Sequence, residues 1–468
     1  MLPPITVTSP NWASGLWGRC HLVDGLERIS SFTRKGRWCI SMPNRANKAE
    51  IPVSTLSLFW RAASTARTGT FLFGSVYDRK HQKLWYENMP TRRQFLRSIS
   101  STTAGIFFVG CSCVDSALGF ALNQQQSAAQ SGTTRKRREV TIGGHRVMVV
   151  DVHSHVRVPE AWELVKDRIG REGQASDMQQ ANPDNLGNIH NVDKRLGDLD
   201  EMGIDVQAVS INPFWYWADA DLAHKVIQIQ NEKIAALCAA HPGRFVGLGS
   251  VALQHPSLAV EQIEEGVKKL GMRGFAIGGS VNGEDLSAPK FNPIWAKAEE
   301  LQTLIFIHPQ VSGTPIDERR LQGNGFLDNV IGHPLETTLA LTHLIQDGTL
   351  DLFPRLKICA AHGGGYLPSY SGRNDQCLTA FPKDCRPLKK LPSEYLKQLY
   401  YDSVLFTPED MRHLVAVVGA SQVVMGTDYP ALWNRTPLDR IFAVPGLSDE
   451  ERVAIFSGTL TRLLKINV

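Results

Sequence analysis

Short apolar runs alternate with longer amphipathic segments along residues 146–468 of the chain. Each run is rich in valine, isoleucine and other apolar side chains, which is typical of strands buried on both faces. The runs predict eight strands, at residues 147–152, 206–211, 245–251, 274–277, 304–307, 356–361, 399–402 and 422–425. Apolar positions three and four residues apart predict helices between them, among others at residues 222–240, 257–270, 293–301, 335–346 and 408–418.

Eight strands that alternate with helices favour a closed (β/α)8 barrel (TIM barrel) over residues 146–468. A doubly wound open sheet is the alternative. The first strand is not followed by the glycine-rich phosphate loop that many such sheets carry, so the barrel is the preferred prediction.

The net charge of +4 conceals two regions of opposite charge. Residues 1–145 hold 19 basic and 7 acidic residues, whereas the remainder holds 31 basic and 39 acidic ones. The basic excess therefore belongs to the N-terminal region, and the barrel gives no reason to expect a nucleic-acid partner.

The N-terminal region contains an apparent export signal. Residues 1–88 show no periodic pattern, and we predict no domain in them. The segment Met89-Pro-Thr-Arg-Arg-Gln-Phe-Leu-Arg97 and the short apolar run after it resemble a twin-arginine signal, over residues 89–121. Such a signal normally begins near a chain start, which indicates that Met89 is the true start. An Arg-Arg pair that arose by chance, and a lipoprotein signal at Cys111, are the alternatives.

Several expectations follow from this signal. The protein would be carried to the periplasm by the twin-arginine translocase, and a polar linker would cover residues 122–145. The apolar run is much shorter than the roughly 20 residues that span a bilayer, so no stable membrane span is expected. Cys377 and Cys385 could form a disulfide in an oxidising compartment.

Metal-binding residue types follow four of the predicted strands. Strand 1 leads into Asp151-Val-His153-Ser-His155, strand 5 ends at His308, strand 6 at His362, and strand 8 at Asp428. Side chains two apart on a strand point the same way, and barrel active sites lie at the carboxyl ends of the strands. Imidazole and carboxylate together suit Zn²⁺ or a similar divalent ion. His333, His343 and His413 lack such positions and are interpreted as structural or exposed.

This layout resembles the amidohydrolase superfamily, and more narrowly its decarboxylase branch typified by 2-amino-3-carboxymuconate-6-semialdehyde decarboxylase. The resemblance covers residues 146–466. It also rests on the segments Gln207-Ala-Val-Ser, Arg244-Phe-Val-Gly-Leu-Gly, Glu336-Thr-Thr, Phe353-Pro-Arg-Leu-Lys, His362-Gly-Gly-Gly and Gly426-Thr-Asp-Tyr-Pro. It implies that His153, His155, His308 and Asp428 bind the metal, and that His362 is the base that activates its bound water. Gly278-Gly279 replace the bridging lysine of two-metal members, which implies one divalent ion, with zinc preferred.

The resemblance also implies substrate-binding residues. Arg195, and Arg373 from a neighbouring subunit of a homodimer, would bind the carboxylate of a small acid, although either could be an ordinary surface arginine. Trp215, within Phe214-Trp-Tyr-Trp, would line the site beside a conjugated substrate or would merely pack. Gln310 departs from the branch, which has tryptophan there.

We therefore predict a metal-dependent, non-oxidative decarboxylase of an unsaturated or aromatic carboxylic acid. Hydrolysis of an amide or lactone, or hydration of a double bond, at the same site is the alternative. A third hypothesis is an exported binding protein that has kept the barrel, which the complete set of ligands and His362 disfavour.

Overall fold

The computed structural model describes residues 18–20, 28–33, 37–40, 137–169, 184–212, 214–310, 318–431 and 433–467. The chain divides into two units, Met1–Ala117 and Leu118–Val468. The predicted export signal at residues 89–121, and the predicted linker as far as residue 136, lie outside the described residues.

The first unit contains a small antiparallel sheet with strands Gly18–Cys20, Arg28–Thr33 and Arg37–Ile40. The strands are three to six residues long, and Arg28–Thr33 pairs antiparallel with both of the others. The prediction that residues 1–88 contain no domain stays a prediction.

A β-hairpin precedes the barrel, with strands Val140–Ile142 and His145–Val147. Gly143 and Gly144 connect them, and both have positive φ (57° and 81°), which a tight two-residue turn requires. Regular structure in this unit therefore begins before residue 146, inside the segment predicted as linker. Val147, predicted to open the first barrel strand, belongs to the hairpin instead.

Eight parallel strands form the barrel, and we number them β1 to β8 in chain order. Neighbours in sequence are neighbours in the sheet. Residues just past β8 bond to residues just past β1, since Val152 N donates to Met425 O (3.0 Å) and Asp428 N donates to His153 O (2.8 Å). The strands are Val150–Asp151, Val206–Ile211, Phe245–Gly249, Gly274–Ile277, Leu304–Ile307, Lys357–Ala360, Tyr400–Asp402 and Val423–Val424.

Helices follow the strands and cover the barrel, and we number the longer ones α1 to α8. They are Val192–Met202, Ala220–Ala240, Pro256–Lys268, Asn292–Glu300, His333–Gln346, Leu367–Ala380, Pro408–Val418 and Pro437–Phe442. Shorter helices are Pro159–Trp162, Lys166–Ile169, Thr349–Leu352, Pro392–Tyr395, Asp449–Val453 and Thr459–Leu463.

The core lies both inside the barrel and between the strands and helices. Every residue of β4 and β5 is buried, as expected for strands covered on both faces. No helix among the described residues combines the length and apolar character needed to cross a bilayer. Cys377 and Cys385, at the end of α6 and just beyond it, form a disulfide.

Candidate active site

The four predicted ligand residues meet at the carboxyl end of the barrel. One potential ligand atom from each of His153, His155, His308 and Asp428 lies within 4.8 Å of those from the other three. The Nε2 atoms of His153 and His155 are 3.2 Å apart, and Asp428 Oδ1 lies 3.2 Å from each of them. The structure thus brings together three imidazoles and one carboxylate around one point.

Asp151 holds the strand ends that carry these ligands. Its carboxylate accepts hydrogen bonds from His153 N (3.0 Å), Thr427 N (3.0 Å), Thr427 Oγ1 (2.7 Å) and Gln207 Nε2 (2.7 Å). It therefore connects β1 with β2 and with the segment after β8. Complete burial raises the pKa of Asp151 to about 6, although its hydrogen-bond donors oppose the shift.

Asp402, the last residue of β7, orients the ring of the predicted ligand His153. Its Oδ2 lies 2.5 Å from Nδ1 of His153, and both side chains are fully buried. Burial opposes a charge on His153, but the carboxylates of Asp428 and Asp402 outweigh it and raise the pKa of His153 to about 10. A carboxylate behind a ligand histidine fixes which ring nitrogen faces the metal. Asp402 was not among the predicted site residues, although its position at the end of a strand was a usable signal.

The donors fit a divalent cation. Burial lowers the pKa of His155 to about 4 and lowers the pKa of His308, so both rings are neutral and can donate lone pairs at neutral pH. Burial opposes ionisation of Asp428, but the charge of His153 outweighs it and lowers the pKa of the carboxyl well below its usual range. The carboxylates of Asp402 and Asp428 stabilise positive charge, and neutral imidazoles lie beside them. This combination is typical of a metal-binding site.

His362 lies next to the ligand cluster, directly after β6. Its ring centroid is 5.2 Å from that of His153 and 5.3 Å from that of His308, and its Nε2 is 4.0 Å from Asp428 Oδ2. The following glycines permit this position. A Cβ atom on Gly365 would lie 2.1 Å from Pro334 O, so only glycine lets the chain turn so close to α5.

Two site residues have an uncommon backbone conformation. His362 has φ 54° and Asp428 has φ 61°, both in the left-handed region. This region costs an ordinary residue roughly 1–2 kcal/mol, although histidine and aspartate tolerate it better than most. The surrounding fold therefore maintains strained conformations at the predicted base and at the anionic ligand, as is typical of functional sites.

His333, interpreted from the sequence as structural or exposed, is partly buried and lies beside the predicted base. Its ring stacks on that of His362 (centroids 6.1 Å apart, planes at 25°) and lies 6.0 Å from that of His308. Burial lowers its pKa to about 3, so it is neutral. His333 is the first residue of α5, and a helix that follows a strand begins at the carboxyl end of the barrel. The position of His333 at the start of this helix could therefore have predicted that it lies near His362 and His308.

Arg195 is buried behind the segment that carries His155. It is only 2% exposed. Its Nε donates to Gln207 Oε1 (2.8 Å), Nη1 to His155 O (3.0 Å) and Nη2 to Ser154 Oγ (3.0 Å), while the guanidinium lies 4.6 Å from the centre of the Tyr429 ring. These contacts rule out an ordinary surface arginine. They position the His155 backbone, and substrate binding by Arg195 stays a prediction.

The other predicted substrate residues lie in different surroundings. Arg373 is exposed on α6, and the described contacts include none between it and the histidine cluster. Trp215 is buried against Trp162, with 6.4 Å between ring centroids. Its neighbours contact the ends of β4 and β5, since Gly278 N donates to the Tyr216 hydroxyl (2.9 Å) and Phe214 N donates to Gln310 Oε1 (3.1 Å).

Comparison with known proteins identifies the family of the chain. Residues 150–466 match the amidohydrolase family, a span that includes all four ligand residues and His362. The chain belongs to the amidohydrolase family. It is 30% identical to 2-amino-3-carboxymuconate-6-semialdehyde decarboxylase of Dictyostelium discoideum, over 69% of this chain and 93% of that protein. It is 27% identical to gamma-resorcylate decarboxylase of Polaromonas sp., over 59% of this chain and 87% of that one.

Solved structures share the fold. The 5-carboxyvanillate decarboxylase LigW from Sphingomonas paucimobilis matches with a TM-score of 0.62 and 24% identity, over 69% of this chain and 100% of that chain. A dihydroxybenzoic acid decarboxylase from Polaromonas sp. matches with a TM-score of 0.58 and 23% identity, over 69% and 98%, and contains manganese and the inhibitor 2-nitroresorcinol. The predicted superfamily, the (β/α)8 barrel and the assignment to metal-dependent carboxy-lyases are confirmed.

Proposed function

We propose that this protein removes CO2, without oxidation, from an unsaturated or aromatic carboxylic acid. The observation that carries the proposal is the convergence of three histidines and Asp428 beside His362 at one end of the barrel. Two similar proteins are named as decarboxylases of acids of these two kinds, an aminocarboxymuconate semialdehyde and gamma-resorcylate. None of the named relatives is a hydrolase of an amide or lactone or a hydratase, so these alternatives are not favoured.

The metal is one divalent ion held by His153, His155, His308 and Asp428, and we propose zinc. Three imidazole nitrogens and one carboxylate suit Zn²⁺ better than Mn²⁺, which prefers oxygen ligands. The manganese in solved decarboxylases makes it the competing ion. When bound, the ion acts as a Lewis acid that stabilises negative charge on the substrate and on water in the site.

His362 would move the proton. When the bond between carbon and the carboxylate breaks, CO2 leaves and an electron pair stays on carbon, where a proton must replace it. A neutral imidazole can accept a proton from solvent and deliver one to carbon. Burial, reinforced by the charge of His153, lowers the pKa of His362, so the neutral form that this role requires is present at neutral pH.

The protein loaded with zinc should release CO2 from at least one member of a panel of carboxymuconate and hydroxybenzoate acids. Removal of the metal by a chelator should abolish the release, and zinc or manganese should restore it to different extents. CO2 is measured directly, with amide and lactone hydrolysis followed in parallel. Hydrolysis without CO2 release would contradict the proposal.

We also propose a homodimer in which Arg373 completes the partner's site and, with Arg195, binds the substrate carboxylate beside Trp215. Exposure of Arg373 on α6 supports an action outside its own chain. Inactive His362→Ala and Arg373→Ala proteins, mixed under subunit exchange, should regain about one quarter of wild-type activity. Half of the dimers are mixed, and each of these has one intact site of two.

Subunit exchange must be demonstrated independently, for instance with two different affinity tags. If exchange occurs and activity stays at the level of the separate variants, Arg373 acts in its own subunit or in no site. His413→Ala on α7, mixed with His362→Ala, serves as the control for simple dilution of the inactive subunit.

We further propose that the protein is exported to the periplasm by the twin-arginine translocase. The Arg92-Arg93 pair and the Cys377–Cys385 disulfide both support this, because disulfides persist in oxidising compartments. A chain that begins at Met89 should reach the periplasm, and the Arg92→Lys, Arg93→Lys double variant should remain in the cytoplasm. Cell fractionation with a cytoplasmic marker checks this, and equal export of both chains would contradict it.

A further inference from the structure

Trp433 contacts the metal-binding carboxylate. Its indole Nε1 lies 3.3 Å from Asp428 Oδ2, whereas Oδ1 of the same carboxylate lies 3.2 Å from the Nε2 atoms of His153 and His155. His362 Nε2 is on the Oδ2 side as well, at 4.0 Å. The two oxygens of Asp428 thus face different groups: Oδ1 faces the ligand histidines, and Oδ2 faces His362 and the indole.

Two further aromatic rings lie against Trp433. The Trp433 ring centroid is 5.7 Å from that of Phe406 and 6.4 Å from that of Phe326. These three residues follow β8, β7 and β5 respectively, so each comes from a loop at the carboxyl end of the barrel. We call them the aromatic cluster.

Arg440 supports the aromatic cluster from α8. Its guanidinium lies 4.8 Å from the centre of the Phe406 ring, and its Nη2 donates a hydrogen bond to Trp433 O (3.0 Å). The cluster is therefore held on one side by Arg440 and on the other by Asp428.

The aromatic cluster is nevertheless exposed. Trp433, Phe406 and Phe326 are 39%, 47% and 60% exposed, although each is large and apolar. Contiguous exposed aromatic surface commonly marks a binding site. The direct bond from Trp433 to Asp428 connects this surface to the metal-binding residues, which favours a small molecule bound at the metal as its occupant.

We propose that Trp433 has two functions in this site: its N–H positions Asp428, and its ring, with Phe406 and Phe326, binds the flat conjugated face of the acid. The identity of the ligand as an acid that is decarboxylated rests on the proposed function. The N–H holds Oδ2 on the side of His362, so that a single oxygen faces the ligand histidines. The rings offer π surface to an aromatic or conjugated substrate.

Four variants separate these functions. Trp433→Phe removes the N–H and keeps a ring, whereas Trp433→Leu removes both. Phe406→Leu removes a ring that does not contact Asp428. Phe442→Leu is the control, because Phe442 is 37% exposed and packs on Phe456, outside the aromatic cluster.

Two measurements independent of turnover apply. Zinc affinity is obtained by competition with a chelator, and affinity for 2-nitroresorcinol by calorimetry on protein saturated with metal. Trp433→Phe should weaken zinc binding about 10-fold or more, as expected when a partner of a ligand is removed, and should leave analogue binding nearly unchanged. Phe406→Leu should show the reverse, with zinc affinity of wild type and analogue affinity several-fold lower.

Trp433→Leu should show both losses and Phe442→Leu neither. Wild-type zinc affinity in Trp433→Phe would overturn the positioning function. Undiminished analogue binding in Phe406→Leu, or conversion of a dimer to monomers by that change, would overturn the binding function and make the cluster a subunit interface. If the wild-type protein binds metal and analogue as described but decarboxylates no acid, the proposed function fails while this inference stands.

Discussion

Replacement of His362 by asparagine should lower kcat about 10²–10⁴-fold and leave the metal bound. The imidazole is the group that we expect to carry the proton to carbon, and asparagine cannot titrate in its place. Asparagine is a suitable replacement because it tolerates the left-handed backbone that His362 adopts at φ 54°. Steady-state kinetics and elemental analysis on the same preparation check both parts of the expectation.

The pH dependence provides a second readout for His362. Burial lowers its pKa below the ordinary value of 6.5, so protonation requires a more acidic solution than usual. The acid limb of the kcat profile should therefore lie below pH 6.5 and should be absent in His362→Asn. Loss of zinc together with activity would instead make His362 a ligand.

His413→Asn is the matched control for this substitution. His413 lies exposed on α7, and none of the described contacts of the ligand histidines involves it. It should keep wild-type kcat and metal content. A comparable loss in both variants would indicate an effect on folding and would contradict a specific role for His362.

The strands were predictable because each is a short apolar run bounded by polar segments. The strands at residues 206–211, 274–277 and 304–307 agree with the structure at both ends. The first barrel strand, Val150–Asp151, lies within the predicted residues 147–152, but the predicted start was wrong because Val147 pairs within the hairpin that turns at Gly143-Gly144. A one-dimensional pattern identifies an extended apolar segment and does not identify its partner.

The ligands were predictable because a barrel gathers the ends of its strands at one face. His308 and Asp428 are far apart in sequence, yet the position of each after a strand was sufficient to bring them together. Asp402 satisfied the same criterion and was overlooked. Its importance depends on a 2.5 Å contact with the rear nitrogen of His153, which follows from side-chain direction and cannot be derived from strand position alone.

Contacts that depend on loops could not be predicted from the sequence. The stacking of His333 on His362 depends on where α5 begins relative to the end of β6. The bond from Trp433 to Asp428 likewise depends on the path of the chain after β8. Arg195 shows a related limit: residue type suggested a carboxylate partner, whereas its described contacts are with Gln207, His155, Ser154 and the Tyr429 ring.

The electrostatics of the site favour the binding of a cation. Asp402 and Asp428 are both held ionised by their contacts with His153, although burial alone would favour their neutral forms. Two buried negative charges that face one imidazole are unfavourable without a compensating positive charge. A proton on His153 meets this need in the protein alone, and a divalent ion at the Nε2 side would displace that proton.

Replacement of Asp428 by alanine should largely abolish both metal binding and activity. Asp428 is the only anionic member of the ligand set, and its Oδ1 is the oxygen that faces His153 and His155. The wild-type protein should bind about one equivalent of zinc, since Gly278-Gly279 follow β4, where the family resemblance implies a bridging lysine in two-metal members. Elemental analysis after metal loading, together with CO2 release, measures both effects.

Two further variants allow the loss of zinc affinity in Asp428→Ala to be compared with smaller changes. Asp402→Asn keeps the hydrogen-bond geometry at His153 but removes the charge, so zinc affinity should fall about 10–100-fold, less than in Asp428→Ala. Asp410→Ala removes an exposed carboxylate on α7 and should bind one equivalent with wild-type affinity. Full zinc occupancy in Asp428→Ala, or two equivalents in the wild type, would contradict the ligand assignment. An Asp402→Asn protein that binds zinc as tightly as wild type would mean that the buried carboxylate orients His153 without contributing to metal affinity.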